Sequence, residues 1–428
     1  MGKKNIGKSR YTFIDLFAGC GGLSLGFEQA GLFPLYVNEI NKDALQTYLI
    51  NRENDYPHLK NPKFHSKNIK DCINKNYFRN LKINLKKEFG SSQVDIVCGG
   101  PPCQGFSGIG IRRSYGVDKS KLPSNHLYED MAIFIDKMQP KIFLFENVRG
   151  LLTARWKKNG KKGEIFKDVL RTFKLLKGYH VKYKLIQSKD YGVPQNRPRI
   201  LIIGVKKNIL NKEIIDDTND AMAAGFLPKG SNDYPSLQDV LSDIIDIDFQ
   251  YGGQTTQYPS KPKNLWQKNI RKMQNGKIAK KGDFLSEHEY SNHSIKVRNR
   301  FKAIIKNNGK IPKNYQTKKF AQRLLPKNWA LKGPSITITS LPDDYVHFEQ
   351  PRAPTLRECA RMQTFPDWYN FAGKRTTGGL RRAGNPRKGI YDIELPKFTQ
   401  IGNAVPVKLG YEIGKHFSEI LKNQKNNQ

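Results

Sequence analysis

FIDLFAGCGGLSLGFEQAG, Phe13 to Gly31, decides the fold. An apolar run, Phe13 to Phe17, breaks into the glycine turn FAGCGG, Phe17 to Gly22, after which Leu23, Phe27 and Ala30 recur at helical spacing until Gly31 closes the helix. Strand, glycine turn and helix in that order open a nucleotide-binding unit. Outward from it, short apolar runs at Leu35 to Val37, Val94 to Cys98, Ile142 to Phe145 and Ile200 to Val205 alternate with helical patterns. Runs of this length between helices read as buried strands, so the expected fold class is α/β with a doubly wound sheet.

The turn narrows the ligand. It lacks the G-x-G-x-x-G spacing that seats a pyrophosphate on a helix N-terminus, and its glycines instead let a ligand approach the backbone closely. Glu39 lies 20 residues after Gly19, just past the second strand, where a carboxylate accepts hydrogen bonds from both hydroxyls of a ribose. The alternative is an exposed loop carboxylate. A nucleoside cofactor without phosphates, such as S-adenosylmethionine, fits this pair better than NAD does.

At 428 residues the chain suits one large core and a second, smaller lobe. Lys+Arg number 74 against 38 Asp+Glu, a formal charge of +36, which calls for a polyanionic partner, nucleic acid first among them. No run approaches the roughly 20 apolar residues that span a bilayer, and Met1 to Arg10 is polar and basic. A soluble cytoplasmic protein with no membrane partner is therefore expected. Cys20, Cys72, Cys98, Cys103 and Cys359 are scattered without a C-x-x-C pair, which points to free thiols in a reducing compartment, with no disulfide framework and no metal site.

Past Val205 the alternation stops. Residues 206–250 hold nine Asp+Glu against four Lys+Arg, whereas 261–332 hold 20 Lys+Arg against three Asp+Glu, interleaved with Trp266, Tyr290, Phe301, Tyr315, Phe320 and Trp329. Aromatics and asparagines threaded through a basic run suit a nucleic-acid surface better than a solvated face. Order returns at TLRECARMQ, Thr355 to Gln363, a helix opened by a capping box from Thr355 to Glu358. QIGNAVPV, Gln400 to Val407, then leads into a final helix whose stripe, Leu409, Ile413, Phe417 and Leu421, needs a partner surface on the N-terminal sheet. The domains expected are 1–205 around the sheet, 206–390 as the smaller lobe, and 391–428 returning to the first.

GGPPCQGFS, Gly99 to Ser107, carries the chemistry. Alone it reads as a tight turn burying a thiol. Pro101 and Pro102 stiffen the chain after a strand and Gly105 frees it again, which holds Cys103 at the carboxyl edge of the sheet, where a fixed thiol is suited to nucleophilic attack. The loop from Gly105 to Ser124 is suited to closing over a substrate. In FENVRG, Phe145 to Gly150, Glu146 follows four apolar residues, and a half-buried carboxylate there has its pKa raised as a proton donor requires. The alternative is a strand-end Glu capping a loop. QNRPR, Gln195 to Arg199, presents Arg197 and Arg199 on one side of an extended segment, fit to clamp a phosphate or a polarised carbonyl.

FAGCGG, NEI (Asn38 to Ile40), PPCQ, ENV, QNRPR, RECARMQTFP and GNAVP occur in the order found in the DNA cytosine-5 methyltransferase family, which the chain resembles over both its ends. The resemblance implies a Rossmann-like S-adenosylmethionine-dependent sheet with a smaller target-recognition domain, acting on double-stranded DNA in a bacterial or archaeal cell. It implies a covalent bond from Cys103 to cytosine C6, Glu146 on N3, Arg199 and Arg197 steadying the base, and a target flipped out of the duplex. For the cofactor it implies Phe17 stacking on adenine, with Ala18, Gly19, Cys20, Gly21, Gly22 and Leu23 lining the methionine side. Asn38, Glu39 and Ile40 would face ribose and adenine, with Gly100, Pro102 and Leu127 beside them and Asn403, Ala404 and Val405 closing the site.

Two positions depart from the family's pattern. KNIKD has Asn68 before Ile69 where an acid usually receives the adenine amino group; the Asn68 amide oxygen can accept that bond, and Asp71 takes its place if the register slips. Between FPDW and GNAVP lies GKRTTGGLRRAGNPRKG, Gly373 to Gly389, basic and without an acid, which reads equally as a backbone-binding arm or a solvated loop. The family also implies a monomer paired in function with a cognate restriction endonuclease. Competing readings are a tRNA cytosine-5 methyltransferase, against which the large basic lobe argues, and a DNA-binding protein on an inactive scaffold, against which intact Cys103 and Glu146 argue.

Overall fold

A computed structural model describes residues 11–102, 123–209, 218–231, 233–316, 322–327, 344–376 and 394–425. Cys103, the loop after it and most of the 373–389 insert lie outside the described residues. The chain divides into two compact units: Met1–Gln187 with Pro198–Gly230 and Leu409–Gln428, and Ser188–Arg197 with Ser231–Lys408.

In unit 1 the chain runs β1 (Thr12–Leu16), α1 (Gly22–Gln29), β2 (Phe33–Asn38), α2 (Lys42–Ile50), β3 (His65–Ser66), α3 (Ile69–Ile73), α4 (Lys75–Phe89) and β4 (Ile96–Gly99). It continues through α5 (Leu127–Met138), β5 (Ile142–Val148), α6 (Glu164–Lys174), β6 (Tyr179–Gln187) and β7 (Pro198–Lys206). The seven strands lie in the order β3-β2-β1-β4-β5-β7-β6. β3 through β5 are parallel, and β7 pairs antiparallel with both β5 and β6. The chain first winds outward from β1 to β3, then returns to β4 on the other side. The carboxyl ends of β1 and β4 therefore flank the crevice where such sheets take ligands.

β1, β4 and β5 are buried almost throughout, as strands covered on both faces must be, so their sequences are mainly apolar, interrupted by Asp15 in β1 and by Glu146 and Asn147 near the end of β5. Two strands escaped that reading. β3 is two polar residues, and β6, YHVKYKLIQ, is an edge strand whose lysines alternate with apolar side chains. Lysines on an edge discourage pairing with another chain and also erase the apolar signal.

The stripe Leu409, Ile413, Phe417 and Leu421 of the last helix, Val407–Lys425, is buried. Its Phe417 meets Phe27 of α1 at 6.1 Å between ring centroids, and Phe27 meets Phe13 of β1 at 5.4 Å. One line of aromatics thus ties the C-terminal helix to the strand that opens the fold.

Unit 2 has little regular structure: five short helices, Leu237–Leu241, Leu265–Ile270, Ile295–Lys306, Leu356–Met362 and Lys397–Asn403, and a two-stranded pair, β8 (Arg323–Leu324) and β9 (Tyr345–Val346), among its described residues. The expected capping box is present: the Thr355 hydroxyl accepts from Glu358 N while the Glu358 carboxylate accepts from Thr355 N. The irregular segments of unit 2 are joined by buried ion pairs. Arg361 reaches Asp243 at 2.5 Å and Asp367 at 2.7 Å, Arg271 reaches Asp243 at 2.5 Å, and Arg352 reaches Glu358 at 2.7 Å.

Candidate active site

The turn after β1 is built on positive backbone angles: Phe17 at φ 58°, Gly19 at 56° and Gly21 at 82°. A Cβ on Gly21 would stand 2.7 Å from the Tyr48 ring and 2.9 Å from the Arg52 guanidinium, so only glycine fits there. Beside Gly19 there is open space on the Cβ side. Phe17, Ala18 and Gly19 are half-buried and accessible, whereas Cys20, Gly21, Gly22 and Leu23 are buried and offer a ligand only the backbone of the turn.

Glu39 fixes this turn from β2. One carboxylate oxygen accepts from Gly19 N at 2.7 Å and the other from Asn41 N at 2.8 Å. Burial raises its pKa and these amides oppose the rise. Asn38, also buried, accepts from Ala18 N through its carbonyl and donates its amide to Ser66 and Lys67, joining the turn to the end of β3. Ile40 follows with 69% of its surface exposed, an apolar side chain left open beside the turn. Asn68 caps α3, its amide oxygen accepting from Lys70 N at 3.1 Å, with Ile69 in the core behind it and Asp71 exposed in the same first turn. Leu127 is half-buried at the start of α5.

Sequence reasoning missed Arg52. Its guanidinium lies 3.7 Å from the centre of the Tyr48 ring, donates to Glu28 at 2.6 Å, and donates to the Gly21 carbonyl at 3.1 Å, holding the glycine turn from beneath. Asp15 joins the same buried network through Ser24, 2.5 Å away, which in turn accepts from the Tyr48 hydroxyl. Burial lifts both Asp15 and Glu28 to about 7. The one signal available was the spacing of Tyr48 and Arg52, four residues apart, which puts Arg52 just past the end of α2 on the face that carries Tyr48.

On the other side of the crevice, Gly99 of β4 pairs with Leu16 of β1 and Phe145 of β5, which brings Gly100 level with Glu146. The Glu146 Oε1 meets Arg199 Nε at 2.6 Å, and Oε2 lies over Gly100, 2.9 Å from where a Cβ would be. Both side chains are nearly buried. Asn147, a second residue not foreseen, donates from its side chain to the Pro101 carbonyl at 2.9 Å and so pins the two-proline turn that precedes Cys103. Pro102 is exposed.

The two arginines of QNRPR part company. Arg199 is on β7 in unit 1 with Glu146, whereas Arg197 is buried in unit 2, donating to the carbonyls of Gly402 at 2.5 Å and Ala404 at 3.0 Å. Gln195 donates to Met362 O and to Gln363, which donates to Ile401 O and Ala404 O. Gln195 to Arg197, RECARMQ and GNAVP are thus laced together inside unit 2, where Asn403 is exposed, Val405 half-buried and Ala404 buried.

Cys20, Cys72, Cys98 and Cys359 are free and buried, and burial pushes every one of their thiols up, Cys20 to about 12. Among the described residues no cluster of three or more His, Cys, Asp or Glu is arranged to hold a metal, and no helix is long and apolar enough to cross a membrane.

The chain matches the family model for C-5 cytosine-specific DNA methylases over residues 11–419. It is 31% identical to the type II methyltransferase M.DdeI of Desulfomicrobium norvegicum, over 96% of this chain and 89% of that one. It is 28% identical to the type II methyltransferase M1.HphI of Haemophilus parahaemolyticus, over 96% and 88%. A solved structure of a prophage-encoded DNA modification methyltransferase from E. coli superposes with a TM-score of 0.63 at 25% identity, covering 96% of this chain and 99% of that one. A doubly wound sheet with a glycine turn at its switch point, a paired Glu146 beside the Pro-Pro turn, and a family match over residues 11–419 converge: the protein belongs to the C-5 cytosine-specific DNA methylase family and is a methyltransferase.

Proposed function

We propose that the protein methylates C5 of a flipped-out cytosine in a specific double-stranded DNA sequence through a covalent bond from Cys103, with S-adenosylmethionine as methyl donor, within a restriction-modification system. The observation that carries this reading is the Glu146 carboxylate, paired with Arg199 and lying over Gly100, three residues before Cys103. The four other thiols are buried and pushed up, which leaves Cys103 as the one cysteine suited to act as a thiolate.

The cradle fits the cofactor. Open space at Gly19, a carboxylate on Glu39 with lone pairs to spare for ribose hydroxyls, and the exposed face of Ile40 suit a nucleoside. When bound there, S-adenosylmethionine supplies an electrophilic sulfonium methyl. The chain's own part is to make C5 nucleophilic. Cys103 adds to C6 as a thiolate while Glu146 holds N3 by a hydrogen bond or a proton, and the ring becomes an enamine. Arg199 fixes the Glu146 rotamer, so the cost of orienting that carboxylate is met when the protein folds. Loss of the C5 proton and departure of the thiolate from C6 restore the aromatic ring. Extruding the base costs a few kcal/mol, which contacts to the duplex must offset.

Methyl transfer from radiolabelled S-adenosylmethionine to duplex DNA and to tRNA, followed by nucleoside analysis, tests the reading. Label in 5-methyldeoxycytidine is expected. Label confined to tRNA, or appearing in a methylated adenine, overturns it.

A further inference from the structure

The segment between β5 and α6 carries Arg149, Arg155, Lys157, Lys158, Lys161 and Lys162 and no acid before Glu164. β5 runs parallel to β4, so this segment emerges at the same carboxyl edge that holds Glu146 and Gly100. All six cationic side chains are exposed.

The loop is held closed by its own backbone. Gly163 N donates to Ala154 O at 3.2 Å and Gly160 N to Lys157 O at 3.0 Å. Glu164 commits both oxygens to it, accepting from Trp156 N at 2.6 Å and Lys161 N at 2.9 Å. Trp156 donates its indole to Asp168 at 2.7 Å and stacks on His126 with centroids 5.2 Å apart and planes within 6°. The nearest acids therefore face the loop's backbone and its indole. Among the described residues none of the six cations has an ion-pair partner. An ordered loop that gathers like charges and answers none of them costs stability through mutual repulsion, and a polyanion laid across it relieves that cost.

We propose that Arg155 to Lys162 is a phosphate-binding arm of unit 1, which grips the backbone of the duplex at the edge of the sheet where the target base is processed. This rests on the reading that the substrate is duplex DNA. It gives unit 1 its own hold on DNA, in addition to the basic sequence of the variable lobe. Phosphate contacts position the duplex and carry no sequence preference, so the arm serves every target equally.

The test is a salt titration of binding to a fluorescein-labelled duplex of mixed sequence, read by anisotropy, for the wild-type protein and for the combined variant Lys157→Ala, Lys158→Ala, Lys161→Ala and Lys162→Ala. Each lysine that no longer neutralises a phosphate lowers the slope of log K against log salt by about 0.9, so a reduction of up to about 3.6 is expected. The melting temperature of the variant is expected to be no lower than that of the wild type. An unchanged slope in a folded variant overturns the arm. A wild-type slope near zero overturns the duplex-DNA reading itself.

Discussion

In unit 1 the buried carboxylates Asp15 and Glu28 share one guanidinium, Arg52, and burial lifts both to about 7. In unit 2 Asp243, Glu358 and Asp367 meet Arg271, Arg352 and Arg361 at 2.5 to 2.7 Å, and there burial alone would raise Glu358 and Asp367, but the arginines outweigh it and hold both below their ordinary values. Unit 1 has a sheet and a large apolar core, and its few buried charges shape the glycine turn or, as Glu146 and Arg199, form the candidate site. Unit 2 has little regular structure, and a lattice of arginines bonding to backbone carbonyls and carboxylates does the organising. Where hydrogen-bonded strands are lacking, planar five-donor side chains can hold irregular loops in one arrangement.

Arg361→Met breaks this comparison most severely. It leaves Asp243 and Asp367 buried without their shared partner, and a loss of about 3–5 kcal/mol is expected, measured by denaturant unfolding. Hydrogen exchange should show the loss in unit 2 peptides, with the sheet strands of unit 1 protected as before.

Acidification sharpens the contrast, because the two units respond in opposite senses. His288 and His347 are buried, and burial lowers them to about 4 and about 3. Two backbone amides, those of Glu349 and Gln350, donate to His347 Nδ1 and select the neutral tautomer. Below the ordinary histidine value of 6.5 the unfolded chain binds protons that the fold refuses, so unit 2 should lose on the order of 2 kcal/mol for each histidine between pH 6.5 and pH 5. In unit 1 burial likewise lowers His58 to about 4, but the raised values of Asp15 and Glu28 act the other way and outweigh it, so unit 1 gains stability as pH falls from 7 toward 4. Peptide-resolved exchange at the two pH values, corrected for intrinsic rates, should show unit 2 loosening first.

Arg52→Ala has the smallest expected effect on stability, about 2 kcal/mol, because the stranded Glu28 already titrates near 7 and can take up a proton. Its larger consequence falls on the turn. Without a donor to the Gly21 carbonyl, cofactor binding measured by calorimetry should weaken about tenfold, the roughly 1.4 kcal/mol of a charged hydrogen bond.

Much of unit 1 was legible because its central strands are buried on both faces and therefore written as mainly apolar runs, Asp15 of β1 excepted. β3 and β6 were not, since two polar residues and a lysine-studded edge carry no such mark. Of the site, Glu146 stood out as the acid ending an apolar strand, and Glu39 by its distance from the glycine turn. Arg52 and Asn147 act on backbone carbonyls far away in sequence, Gly21 and Pro101, and no local pattern encodes such bonds. Arg197 and Arg199 looked equivalent at a spacing of two. The chain passes from one unit to the other between Arg197 and Pro198, so one guanidinium pairs with Glu146 and the other ties GNAVP to unit 2.

In the proposed reaction Cys103 attacks cytosine C6 with Glu146 as its partner. Intact mass measurement of the protein after incubation with cofactor and a duplex carrying 5-fluorocytosine tests it directly, because fluorine at C5 cannot leave as a proton and the complex stays closed. The wild-type protein should gain the mass of the DNA strand and one methyl group, Glu146→Gln should do so at least about 100-fold more slowly, and Cys103→Ser should not do so at all. An adduct formed by Cys103→Ser would contradict nucleophilic attack by Cys103.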